Sequence, residues 1–197
     1  MDLFTDYLHI DNDEKLADYL YPISKKYLEK TLTDERYENG KTTFYNKNSN
    51  DYNKEELNPL INFIFKNAIK YLDVIKIDIK KNYLHLTDLW FSEMYMHGSH
   101  ALHAHATEDL SGNFYIHCEE KSSSIKFFKP GFYYNKMTDL NFEEYNKYNS
   151  TMWKIPPKKG TLLMWQSSLL HSVDTNLSNS RIAVSFNLRI TKIWIKN

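Results

Sequence analysis

The sequence predicts an α+β chain, with a helical N-terminal part over residues 1–80 packed on a β-barrel or sandwich over residues 82–195. Two observations predict it. Apolar residues recur with a helical period in the first 80 residues, and from about residue 82 short aromatic and β-branched runs alternate with turn signals. A third bounds it: 197 residues with no long linker suit a single domain over 1–197.

Leu16, Tyr19, Leu20, Ile23 and Tyr27 follow the i, i+3, i+4 pattern, so a helix is expected over about residues 12–30. Pro22 lies inside that pattern and removes a donor, which predicts a kink or two short helices. A second stripe, Leu57, Leu60, Ile61, Ile64, Ala68, Leu72 and Ile75, predicts a helix over 55–76, with Pro59 suited to its first turn. The polar stretch between them, residues 33–53, reads as a loop or as an exposed hairpin at "ENGKTTF", residues 38–44.

Seven strands are expected after residue 82: "LWFSEMYMHG" from Leu89, "SHALHAHA" from Ser99, "SGNFYIHC" from Ser111, "SIKFFKPG" from Ser124, "GTLLMWQ" from Gly160, "LLHSV" from Leu169 and "RIAVSFNLRI" from Arg181. Their number and spacing fit an all-β barrel or sandwich. "TDLNFEEYNKYNST", residues 138–151, reads as an insertion loop.

Composition narrows the function. Apolar residues make up 42% and aromatics 15%, enough for a packed globule. The formal net charge is zero, so nothing points to nucleic acid. Cys118 is the only cysteine, which excludes an internal disulfide and a thiolate metal cluster. Any metal must be held by His, Asp or Glu. The acidic start "MDLFTDYLHIDNDE" lacks the apolar region of a secretory signal, and no run approaches the roughly 20 apolar residues of a membrane helix. A cytoplasmic protein is expected, with its oligomeric state unspecified.

The histidines carry the chemistry. Residues i and i+2 of a strand share a face, so His103 and His105 are expected to project side by side, with the small Ala104 and Ala106 opposite. His171, on a short apolar strand, can close a three-ligand face that leaves metal positions open. His85, His97, His100 and His117 read as surface or packing residues. Arg181 begins a strand ten residues after His171. A guanidinium buried in a barrel needs an anion, because an unpaired buried charge is prohibitive. A dicarboxylate would serve, as would a protein acid, and a surface position would need neither.

In this order, Trp90, His103, His105, "SGNFY" (Ser111 to Tyr115), His171 and "RIAVSFN" (Arg181 to Asn187) resemble a branch of 2-oxoglutarate/Fe(II)-dependent oxygenases of bacteria and phages. The likeness covers roughly residues 88–190. It implies a double-stranded β-helix, a jelly-roll or cupin-like barrel with the N-terminal helices packed on it. It also implies Fe(II) held by His103, His105 and His171, with 2-oxoglutarate contacted by Arg181, Tyr115 and Asn187. The implied reaction is hydroxylation of a small molecule or protein side chain, releasing succinate and carbon dioxide. No side chain is assigned as a catalytic acid or base.

The second ligand of the wider superfamily is a carboxylate, for which Glu108, Asp109 and Asp174 are the alternatives to His105. Ser92, Ala106 and Ala183 stand where the branch commonly has Asn, Pro and Ser. Tyr95, Tyr115, Trp165 and Phe186 are possible pocket walls or core. Three rival readings remain. One is a three-histidine cupin-type dioxygenase that uses no 2-oxoglutarate. Another is a barrel kept as a binding module without catalysis. The third is a plain structural protein, in which the histidines and Arg181 coincide by chance.

Overall fold

A computed structural model of the chain describes residues 6–31, 39–45, 54–131 and 141–193. Parts of the expected hairpin at 38–44, of the polar stretch at 33–53 and of the insertion loop at 138–151 lie outside these residues.

Helix α1 spans Glu14–Glu29 and α2 spans Asn58–Val74, the latter entered through one 3₁₀ turn at Glu55–Leu57. Asp13 caps α1, its carboxylate accepting the Leu16 N–H at 2.9 Å. The expected break at Pro22 does not occur: α1 runs through it. Pro22 and Asp18, whose carbonyl loses the helical bond, both lie on the exposed face where water can replace it. The first apolar stripe also needs correcting. Leu16 and Leu20 are buried, while Tyr19 is exposed and Ala17, Ser24 and Leu28 complete the inner face. In α2 the stripe is largely as expected, but Ile75 is exposed and Tyr71 and Asn67 are buried.

Among the described residues ten strands follow in chain order: β1 His9–Asn12, β2 Gly40–Thr42, β3 Asn82–Met94, β4 His100–His103, β5 Leu110–Cys118, β6 Ile125–Phe128, β7 Met152–Ile155, β8 Thr161–Gln166, β9 His171–Val173 and β10 Arg181–Lys192. They form two antiparallel sheets, ordered β1-β8-β5-β10-β3-β2 and β4-β9-β6-β7. The N-terminal part is therefore not purely helical. It adds an edge strand to each side of the large sheet, β1 on β8 and β2 on β3.

The large sheet is buried on both faces. Phe114, Leu162, Met164, Ile182 and Val184 pack with the helices, and Tyr115, Leu163, Trp165 and Ala183 pack with Ile125, Phe127 and Val173 of the small sheet. This explains why "TLLMWQ" and "RIAVSFN" read as continuous apolar runs rather than alternating ones. Gly112 is required by the packing: a Cβ there would lie 2.1 Å from the Phe186 ring.

Asn176 ties the end of β3 to the segment after β9. Its amide donates to the carbonyls of Met94, Tyr95 and Ser178, and its oxygen accepts from the Ser123 N–H and the Ser178 hydroxyl. The residue is fully buried. Asn176→Ala would leave those partners dry, at about 1–3 kcal/mol for each buried group left unmade. A loss of about 3 kcal/mol or more is expected, read as a lower urea midpoint at unchanged slope. A shift below about 1 kcal/mol, ordinary for a surface substitution, would remove this role.

Candidate metal centre

The pairing of β4 with β9 sets His103 directly opposite His171. Directly opposed side chains stand close together, and the two ring centroids are 4.2 Å apart. The expected basis for His105 is corrected. Strand β4 ends at His103, so His105 lies in the following loop and no shared strand face positions it. Instead its backbone N–H donates to the Ser167 carbonyl at 2.9 Å, and its ring stacks between Trp90 and His171 at 6.2 and 5.4 Å. One ligand atom from each of His103, His105 and His171 then falls within 4.8 Å of the others. A group of this kind can hold one metal ion.

Hydrogen bonds fix the tautomers. Nδ1 of His103 is 2.8 Å from the Ala101 carbonyl, and Nδ1 of His171 is 2.9 Å from that of Leu169. A carbonyl only accepts, so both Nδ1 atoms carry a proton, which makes Nε2 the nitrogen available to a metal. Burial pushes His171 down to about 3, with the neighbouring imidazoles adding to it. Burial also lowers His105, followed by His103, against the opposing Asn187 carboxamide. Neutral imidazoles are the form a metal needs.

A chain of polar groups backs His105. The Ser111 hydroxyl donates to Asn187 Oδ1 at 2.8 Å, so the Ser167 hydroxyl must donate to Ser111, also at 2.8 Å. Asn187 Nδ2 donates to Asp88 at 3.1 Å. Asn187 is thus engaged beside His105, in the middle of β10 and well along the strand from Arg181.

The alternative carboxylates are engaged elsewhere. Glu108 accepts from Arg189 and from Thr87, each at 2.7 Å. Asp109 accepts the Ile190 N–H at 2.6 Å, and Asp174 is paired with Lys126 and Lys154.

One histidine read as surface or packing joins the pocket. A bulge between His100 and His103 shifts the register of β4. Residues three apart then share a side, and the His100 ring sits 4.3 Å from that of His103 on the cavity wall. Desolvation on its cavity side, with the nearby His103, His105 and Arg181, pushes His100 down to about 4, although the residue keeps an exposed outer edge. The sequence offered no sign of this bulge.

Arg181 lines the same cavity at 3% exposure. Its Nε and Nη2 have no hydrogen-bond partner, and its guanidinium lies 4.9 Å over the Tyr115 ring. Tyr115 Oη, Trp165 Nε1 and Asn113 Oδ1 are also buried and without a partner. Burial pushes the Tyr115 phenol up, so it stays a donor. Native interiors leave few such atoms, and a cluster of them marks the place of an absent polar group. Asn113, which shares a face of β5 with Tyr115, was not among the expected site residues. Of the possible pocket walls, Trp165 and Phe186 both line the cavity, and Phe186 also packs in the helix-facing cluster. Ser92 lines it too, its hydroxyl donating to Thr42 at 3.2 Å, while Ala183 is fully buried in the wall and Ala106 is exposed outside it.

Fold and site together define a two-sheet β protein with converging imidazoles beside a buried guanidinium. Residues 88–187, half of the chain, match the family model described as "Putative 2OG-Fe(II) oxygenase", and the chain belongs to that family of 2-oxoglutarate- and Fe(II)-dependent oxygenases.

Similar solved structures include a 2OG-Fe(II) oxygenase family oxidoreductase from Burkholderia pseudomallei, at 11% identity and TM-score 0.52, covering 70% of this chain. The chain spans 57% of that protein's length. The viral collagen prolyl hydroxylase of Paramecium Bursaria Chlorella virus-1, in complex with 2OG, is 16% identical with TM-score 0.57, covering 92% of this chain and 95% of that one. A Pseudomonas putida prolyl-4-hydroxylase is 9% identical with TM-score 0.61, covering 94% and 93%. At such identities these likenesses show the fold alone, a jelly-roll body. No curated protein sequence matches the chain.

The family's cofactors, Fe(II) and 2-oxoglutarate, fit the residues present. Three imidazole nitrogen donors suit a divalent transition metal, and a guanidinium with two unpartnered nitrogens suits a carboxylate. Among the described residues, no helix is long and apolar enough to cross a membrane.

Proposed function

We propose that the chain is a 2-oxoglutarate-dependent Fe(II) dioxygenase that hydroxylates its substrate on a double-stranded β-helix formed by the two sheets. The observation that carries this reading is a buried guanidinium with two unpartnered nitrogens lining the same cavity as three convergent imidazoles. His103, His105 and His171 are the metal ligands, the first and last through Nε2. Arg181 pairs with the distal carboxylate of 2-oxoglutarate, and the Tyr115 hydroxyl beneath it donates to the same group. Asn187 acts at one remove, holding the His105 ring through the Ser111 and Asp88 contacts.

When bound, the iron and cosubstrate supply the oxidation: oxygen and 2-oxoglutarate are consumed, succinate and carbon dioxide leave, and one oxygen atom enters the substrate. The chain's part is to bind, orient and keep water out. Trp165, T-shaped against His171 at 5.0 Å and itself packed on Phe127, forms the dry back wall. A small molecule or a protein side chain is the substrate, and the prolyl hydroxylases of similar fold act in keeping with the second.

An iron-dependent assay for succinate from 2-oxoglutarate tests the reading. Succinate formed above the metal-free background is expected from wild type, and none from His103→Ala. Oxygen uptake on a substrate without succinate would move the chain to the three-histidine cupin-type reading.

A further inference from the structure

The inference here rests on the oxygenase reading and concerns what the site accepts. Outward from His105 runs a row of aromatic rings. Trp90 on β3 stacks on His105, and Phe44, just beyond β2, lies 4.9 Å from Trp90 at 60°. Tyr45 follows at 5.1 Å from Phe44. Trp90 lines the cavity and is half-buried, while Phe44 and Tyr45 are 45% and 39% exposed. Phe44 is held in place without being covered. The Thr43 N–H donates to the Phe91 carbonyl, the Phe91 N–H donates to the Thr43 hydroxyl, and the Phe44 N–H donates to Thr42. A fixed, exposed aromatic row continuous with a reaction cavity is a surface kept for contact.

Charge narrows the contact. Among the described residues lining the cavity, Arg181 is the only Asp, Glu, Lys or Arg. It is committed to the cosubstrate. Among the described residues lining the cavity, no further Asp, Glu, Lys or Arg is left to offset a charged group on the substrate, and desolvating an uncompensated charge is costly. Two aromatic faces tilted 60° to each other form a corner that a compact ring can touch on two sides. We propose that Trp90 and Phe44 form the substrate subsite and that the group presented to the metal is an uncharged ring.

Saturation-transfer NMR with three matched probes tests this: cyclohexanol, cyclohexylammonium and cyclohexanecarboxylate. Each is added to the full chain loaded with Zn(II) and 2-oxoglutarate, and again to the metal-free chain. Transfer to the cyclohexanol ring is expected in both, with the charged probes weaker by about fivefold or more. Phe44→Ala and Trp90→Ala should each reduce cyclohexanol transfer by about threefold, the scale of one lost aromatic contact. Phe44 is exposed and touches no metal ligand, so its variant should keep fold and 2-oxoglutarate affinity, checked by circular dichroism and calorimetry. A charged probe matching cyclohexanol, or cyclohexanol transfer unchanged in Phe44→Ala, overturns the subsite. Failure of wild type to bind 2-oxoglutarate overturns the oxygenase reading instead. The metal-free comparison of wild type with Phe44→Ala still decides the wall in that case.

Discussion

His103→Ala and His171→Ala are each expected to abolish stoichiometric binding of a divalent metal. Each removes one of only three nitrogens that converge within 4.8 Å, and no carboxylate among the described residues joins that group. Losing an outer-shell partner of a metal ligand typically weakens metal binding 10–100-fold, so loss of a ligand itself should exceed about 100-fold. Two comparisons give the result its meaning. His100→Ala should keep full stoichiometry, because His100 borders the cavity without belonging to the converging set. Ser111→Ala should weaken binding by about tenfold, because it severs the Ser167–Ser111–Asn187 chain behind His105 while leaving every ligand in place. Calorimetry with Mn(II) and metal analysis of the purified variants measure these effects, with circular dichroism checking the fold. Full metal content in both His103→Ala and His171→Ala would sink the ligand assignment.

Much of this centre was legible in the sequence, for reasons that differ by residue. The separation of helices from strands followed from period, and it held because α1 and α2 each bury one stripe and β3 begins at Asn82, where the period changes. His103 and His171 were legible because both lie on strands, and cross-strand register then joins them. His105 reached the cluster by another route than its spacing implied. The strand stops two residues early, and a loop hydrogen bond to Ser167 does the positioning. His100 was hidden because a bulge cannot be read from alternation: one extra residue reverses the face of everything before it. Strands β1 and β7 were missed because each has only four residues and borrows its order from β8 and β6, whereas β2 lies within the hairpin expected at 38–44 as the alternative to a loop, though it pairs with β3. The Asn176 side chain shows only one local partner, Ser178 two residues on. Its others, Met94, Tyr95 and Ser123, lie on two distant segments that meet it only in the folded chain.

Arg181→Met is expected to raise the dissociation constant for 2-oxoglutarate by roughly 30-fold or more while leaving metal content unchanged. The guanidinium is almost fully buried, rests on the Tyr115 ring, and keeps Nε and Nη2 without a protein partner. An unpaired charge in such a place is sustained only by a ligand that pairs with it. Losing one side of a buried charge pair typically costs about 2–5 kcal/mol, and tenfold in affinity corresponds to about 1.4 kcal/mol. Methionine fills a similar volume without charge, so the fold should survive and even gain stability in the absence of ligand. That opposite effect on stability separates an anchor from a structural arginine, whose removal would destabilise the free protein. Arg181→Lys should lose less affinity than Arg181→Met, because the charge remains while the two-pronged geometry is lost. Tyr115→Phe removes only the hydroxyl, which has no protein partner to miss. It should weaken 2-oxoglutarate by about tenfold and leave the thermal midpoint of the free protein unchanged or higher. Anaerobic calorimetry on Mn(II)-loaded protein and thermal melts with and without 2-oxoglutarate read all three variants. Binding of 2-oxoglutarate by Arg181→Met at the wild-type constant would place the anchor on another residue.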